Sequence, residues 1–106
     1  MRTRGVCCDL EIRLEPARIA GAVDVLKALA DPTRLGMVAA LRRQGAPVCI
    51  CDLTAAFDLT QPTISHHMAI LRRAGLVSSE KRGIWIHYGM RADLEPAVRK
   101  VLDAVA

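Results

Sequence analysis

Residues 52–75 read DLTAAFDLTQPTISHHMAILRRAG, and this stretch decides the fold. Asp52 is a good cap for a short helix running to about Phe57, and Asp58-Leu59-Thr60 follows as a turn. Thr60 caps a second helix, Pro62 suits its first turn, and Ile64, Met68 and Leu71 recur at i, i+4 and i+7 before Gly75 closes it. Two short helices joined this way make a helix-turn-helix. Downstream, apolar residues in 76–80 and 84–88 flank Lys81-Arg82-Gly83, a hairpin signal with glycine at the turn. Upstream, Pro16 starts a helix along which Ile19, Ala22, Val23, Leu26 and Ala30 recur, with Val25 and Leu29 beside them. Asp31-Pro32 stops it and starts another, which carries Leu35, Val38, Ala39 and Leu41 and ends near Gln44-Gly45. From Ala92 the tail repeats Leu94, Val98, Val101, Leu102 and Val105 as a last amphipathic helix.

The expected architecture is mainly α with a small β-hairpin: a winged helix-turn-helix of about five helices plus wing over residues 16–106, behind an N-terminal arm, residues 1–15. Both end helices carry apolar faces wider than a thin core absorbs, which predicts a homodimer built on them. Composition agrees. The chain has 106 residues, 52% of them hydrophobic but 3% aromatic, so its apolar mass is aliphatic and suits packed helices in one domain. No apolar run approaches the ~18 residues of a membrane span. Asp9, Glu11 and Arg13 interrupt any signal peptide, which makes the cytoplasm the expected compartment.

The net charge of +4 is unevenly placed. From Thr60 to Arg91 the basic residues are Arg72, Arg73, Lys81, Arg82 and Arg91 against the single acid Glu80, and the rest of the chain is balanced. On the second helix of the motif, the buried stripe turns Gln61, Thr63, Ser65 and His66 outward near the N-terminus, where short polar groups suit base edges and phosphates. Arg72 and Arg73 lie at the far end, placed for phosphates, and Lys81 and Arg82 on the hairpin. On an isolated helix such a face reads as ordinary solvated surface; the adjoining hairpin and the confined charge turn the reading to double-stranded DNA. His67 follows Ile64 on the buried side and reads as a packed structural histidine, and His87 as a strand-surface residue. There is no nucleophile and base set, no phosphate loop and no Cys-x-x-Cys on a βαβ pattern, which argues against an enzyme.

The four cysteines come as Cys7-Cys8 and Cys49-x-Cys51. In a reducing compartment such pairs point to metal binding or redox chemistry rather than to a disulfide framework. In an extended segment, residues i and i+2 point the same way and present both sulfurs to one ion, whereas in a regular helix they diverge by about 200°. A helix N-terminus lowers a thiol pKa and favours the thiolate. The plainer alternative is that Cys49 or Cys51 is a small buried hydrophobe. Adjacent thiols such as Cys7 and Cys8 make a strained disulfide, and a soft ion tolerates that geometry better.

The segments Ala28-Leu-Ala-Asp-Pro-Thr-Arg-Leu35, Val48-Cys-Ile-Cys-Asp-Leu53 and Thr60-Gln-Pro-Thr-Ile-Ser-His-His67, with Leu71 and Ala74-Gly-Leu-Val77, resemble the ArsR/SmtB family of metal-responsive winged-helix repressors, arsenic-sensor type. The resemblance runs from about Val25 to Tyr88. It implies a dimer that binds operator DNA without metal and is released when metal binds, with recognition helices in successive major grooves about one helical turn apart. Cys49 and Cys51 are named as ligands on this basis, and the arm's Cys7 and Cys8 are expected to reach the pair of the partner subunit. Three thiolates suit As(III) or Sb(III) as inducer; four in a tetrahedron suit Cd(II), Pb(II) or Zn(II), and a thiol redox trigger is a further alternative. A second family site, using His and acids on the last helix for zinc or nickel, is expected to be absent, because no His lies between Arg91 and Ala106. Asp93, Glu95 and Asp103 there read as a dipole complement and a solvated face.

Overall fold

The computed structural model describes residues 10–106; Cys7 and Cys8, and with them the expected arm ligands, lie outside the described residues. Helix α1 (Pro16–Leu29) leads into α2 (Pro32–Gln44), a two-residue strand β1 (Val48–Cys49), α3 (Ile50–Phe57), α4 (Gln61–Arg73), the hairpin β2 (Val77–Arg82) and β3 (Trp85–Met90), and α5 (Pro96–Val105). This is a winged helix-turn-helix. The sheet is antiparallel in the order β1-β3-β2, so the wing's second strand lies between its first strand and the segment that carries Cys49.

Local chemistry starts and stops the helices where short-range signals are strong. Asp31 has extended backbone and accepts the Arg34 amide at 2.9 Å, and Pro32 supplies a pre-set φ behind it. Gly45 ends α2 in the left-handed region at φ 67°, as the end of a helix favours. Thr60 caps α4 by accepting the Thr63 amide. The core is one cluster in which Met37, Val38 and Leu41 of α2 meet Ile64, Met68 and Leu71 of α4, with Leu53, Leu76, Val77 and Leu102 around them. Gly36 lets α3 approach α2: a Cβ there would stand 3.2 Å from the Phe57 ring.

Five features differ from what the sequence leads one to expect. Asp52 is not the cap of α3; it lies in the first turn, and Cys49 holds the cap position. The strand β1 has no counterpart in the sequence reading, since two residues show no period and exist as a strand only because β3 lies opposite. The hairpin turn is Gly83-Ile84, with Lys81 and Arg82 inside β2. Gly83 sits at φ 62°, and a positive φ at the first position of a two-residue loop matches the twist of paired strands. The tail helix starts at Pro96, four residues after Ala92, because Arg91 clamps Asp93 through two bonds of 2.8 and 2.7 Å and Pro96 fixes the first turn. Asp103 is not merely solvated: it pairs with Arg42, which also donates to the Leu102 carbonyl at 2.7 Å and ties α2 to the end of α5.

Candidate DNA interface and thiol site

Helix α4 packs through Ile64, Met68 and Leu71 and leaves Gln61, His66, Arg72 and Arg73 exposed. His66 and Arg73, seven residues apart, lie on one line of the helix pointing away from the core. Thr63 and Ser65 are less free than the sequence suggests: both are half-buried, and the Thr63 hydroxyl bonds the Thr60 hydroxyl at 2.9 Å. Arg72 donates to the Ser79 hydroxyl at 2.9 Å and so braces the wing against the end of α4, while Arg73 returns to the Ala69 carbonyl. Lys81 and Arg82 are exposed on the wing, Arg82 paired with Glu80. The structure thus joins the basic end of α4, with Arg72 and Arg73, to the strand that carries Lys81 and Arg82.

Arg34 carries an organising role that the sequence reading did not assign. Its Nε donates to the Ala28 carbonyl at 2.7 Å and a terminal nitrogen to the Lys27 carbonyl at 3.4 Å, satisfying carbonyls at the end of α1. The other terminal nitrogen meets His67 Nδ1 at 3.4 Å, which leaves the ring proton on Nε2. His67 is thus a hydrogen-bonded structural histidine. The signal available in sequence was the Asp-Pro-Thr-Arg run. The Arg34 amide also holds the Asp31 carboxyl below its usual value. A depressed carboxyl stabilises above its ordinary range, and that contribution goes as pH falls through the lowered value. Arg34→Ala is expected to lower unfolding stability by about 2 kcal/mol, with Arg34→Lys recovering less than half because the planar fork is lost. Urea titration of the three proteins checks it; equal midpoints for parent and Arg34→Ala would contradict this role.

Cys49 has extended backbone at φ −64° and ψ 141° and Cys51 is already helical, so the pair straddles the strand-to-helix junction. The irregular start of α3 brings the sulfurs side by side: Cys51 Sγ donates to Cys49 Sγ at 2.7 Å, and the Cys51 amide to the same sulfur at 3.4 Å. Cys51 is exposed and Cys49 half-buried. Two sulfurs this close lie within reach of a single ion with metal–sulfur bonds of about 2.3 Å. The expected lowering of thiol pKa does not extend to Cys51. Its hydrogen bond to Cys49 pushes its thiol above the ordinary value, desolvation by its neighbours and the nearby Cys49 and Asp52 charges add to this, and the Asp52 amide pulls the other way without prevailing.

Among the described residues no group of three or more Cys, His, Asp or Glu is placed to hold a metal, so the pair supplies two donors and needs another from elsewhere. His87, paired across the sheet with Cys49 and with Glu80, is half-buried rather than on the strand surface, and its Nδ1 is enclosed without a partner among the described residues. An open cleft of about 430 Å³ beside it is lined by Cys49, Asp52, Phe57, Arg82 and His87.

A recognition helix, a braced basic wing and a thiol pair at the start of the preceding helix define a winged helix-turn-helix transcriptional regulator, not an enzyme. Residues 31–79 match the model of the bacterial regulatory protein arsR family. The chain is 42% identical over 81 residues to the arsenical resistance operon repressor of Escherichia coli K12, covering 76% of this chain and 68% of that one. Its fold matches HlyU from Vibrio cholerae N16961 at a TM-score of 0.72 and 28% identity, over 85% of this chain and 92% of that one. The AntR antimony-specific transcriptional repressor matches at 0.71 and 25% identity, over 98% of this chain and 90% of that one. The chain belongs to the ArsR family. Among the described residues no helix is long and apolar enough to cross a membrane.

Proposed function

We propose that this chain is a homodimeric repressor that holds operator DNA through Gln61, Thr63, Ser65, His66, Arg72, Arg73, Lys81 and Arg82, and releases it when As(III) or Sb(III) binds Cys49, Cys51 and a further thiol from Cys7 or Cys8. Residues 1–15 act as the arm that delivers that thiol to the pair. The observation that carries the reading is the 2.7 Å approach of the Cys49 and Cys51 sulfurs at the start of the helix that precedes α4. The arsenical-resistance role of the Escherichia coli relative and the antimony specificity of the structural neighbour AntR support the choice of ion.

Proton balance separates the candidate ions. A neutral trihydroxide M(OH)3 reacts with three thiols to give M(SR)3 and three waters, releasing no proton. Cd(II) or Pb(II) on three thiols releases three protons. A thiol of ordinary value, about 8.5, carries its proton through neutral pH. Raising the pH from about 6.5 to about 7.5 is therefore expected to leave the As(III) concentration for half-release of DNA within about threefold, while Cd(II) becomes up to about 1,000-fold more effective, tenfold for each proton. Fluorescence anisotropy of a labelled duplex from upstream of the chain's own gene, titrated with As(III), Sb(III), Cd(II), Pb(II) and peroxide at both values, makes the measurement. Release by Cd(II) or peroxide with none by As(III) or Sb(III) would sink the metalloid reading, and no DNA binding at low salt would sink the repressor.

A further inference from the structure

We propose that the tip of the wing is an apolar wedge for the minor groove of duplex DNA, with Ile84 as the side chain that enters a base step. The two-residue turn that joins the wing strands is Gly83-Ile84. Gly83 meets the backbone demand of such a turn, and positions of this kind are usually filled by Gly, Asn or Asp. Ile84 answers no folding requirement there: it is 83% exposed, and the exposed side chains of Trp85 and Ile86 follow it directly. Three consecutive exposed large apolar residues, one in the turn and two at the start of β3, mark a surface that a partner covers.

Charge and position select the partner. Lys81 and Arg82 immediately precede the turn, and the wing's one carboxylate, Glu80, is already paired with Arg82. A second copy would bring the same cations to the contact, whereas a minor groove offers phosphate rims around apolar sugar edges and base faces. The wing is also braced to α4 by the Arg72–Ser79 bond, so a recognition helix seated in the major groove carries the wing toward the neighbouring minor groove. Isoleucine is among the side chains that proteins insert between base pairs, partly unstacking them and bending the duplex. Lys81 and Arg82 then meet the flanking phosphates, and the open step adds a preference for flexible pyrimidine–purine steps that no polar contact reads.

The inference rests on the repressor reading, and its test separates the two. Ile84→Asn keeps a residue well suited to the turn, so the hairpin is retained. Trp85 is the only tryptophan of the chain, so its emission reports the tip directly. Upstream duplexes carrying 2-aminopurine at successive adenines are titrated with the parent chain. The expected results are a several-fold fluorescence rise at one step on each side of the protected region, and quenching of Trp85. With Ile84→Asn, both signals should vanish and affinity fall about tenfold, the salt slope staying unchanged because no phosphate contact is lost. Lys81→Ala should instead lower the salt slope by about one and keep the 2-aminopurine signal.

Affinity within twofold of the parent, with silent 2-aminopurine and an unshifted Trp85, would overturn the wedge while leaving the repressor standing. Failure of the parent to retard any duplex would overturn both. Binding to anionic phospholipid vesicles that Ile84→Asn abolishes, with DNA signals unchanged, would assign the tip to a membrane surface instead and overturn the proposal.

Discussion

Cys49→Ser is expected to give a protein that holds DNA as the parent does and no longer lets go when As(III) is added. The substitution is unusually clean. Cys49 occupies the cap position of α3 and already accepts the Cys51 amide, and serine is one of the preferred caps. The start of α3, and with it the packing of α4, is therefore maintained or improved, so a loss of response reports lost sulfur chemistry rather than a damaged fold. Moving DNA from about nine-tenths bound to about nine-tenths free requires the inducer to favour the released state by roughly 80-fold, about 2.6 kcal/mol. Cys49→Ser and Cys51→Ser should each remove essentially all of that coupling, and both should keep apo affinity within about threefold. The measurement is operator affinity with and without saturating As(III). Variants that still release DNA at the parent's inducer concentration would place the inducer elsewhere.

The coupling has a short physical route. Cys49 is at once the last residue of β1, registered against His87 of the wing's inner strand, and the cap of α3, which packs on α4. Any change of backbone at residues 49–51 therefore bears on the wing through the sheet and on α4 through α3. A ligand that takes both sulfurs must replace the hydrogen bond between them.

What was legible in the sequence was what short-range chemistry decides. Asp31, Thr60, Gly45 and Gly75 punctuate helices through their own side chains or φ angles, and the Ile64, Met68, Leu71 stripe needs only a helical period, so the helix-turn-helix follows from a few dozen residues. What was missed depends on residues distant in sequence. Strand β1 exists because β3 lies opposite, Arg34 matters because its fork reaches the end of α1 and His67 together, and Asp103 finds Arg42 sixty-one residues away. The tail was misread because the apolar spacing from Leu94 continues across residues that the Arg91–Asp93 pair and Pro96 hold out of the helix. The cysteine pair was legible as a pair; its contact geometry was not, because Cys is an uncommon cap and the sulfur-to-sulfur bond forms only where strand turns to helix.

Leu26→Glu is expected to split the dimer and to weaken operator binding by about 100-fold or more, since two half-site contacts then act without linkage. Helix α1 has two apolar faces. Val25, Ala28 and Leu29 are buried against the core, while Ile19, Val23 and Leu26, spaced i, i+4 and i+7, remain 61%, 38% and 54% exposed. Val105 of α5 is likewise exposed at 52%. A stripe of this kind marks an interaction surface, and an equal stripe on a second copy would cover it by two-fold symmetry. Symmetry doubles the effect of each substitution: burying Leu26 on both subunits contributes about 4 kcal/mol, so its loss alone weakens dimerisation about 1,000-fold, before the cost of placing two carboxylates in the contact. The buried face is untouched, and circular dichroism should show the parent's helix content. Sedimentation velocity at low micromolar concentration should find Leu26→Glu as a monomer, with Asp24→Asn, on the same helix but off the stripe, remaining a dimer. A Leu26→Glu protein that sediments as a dimer and binds operator with parental affinity would move the subunit contact away from α1.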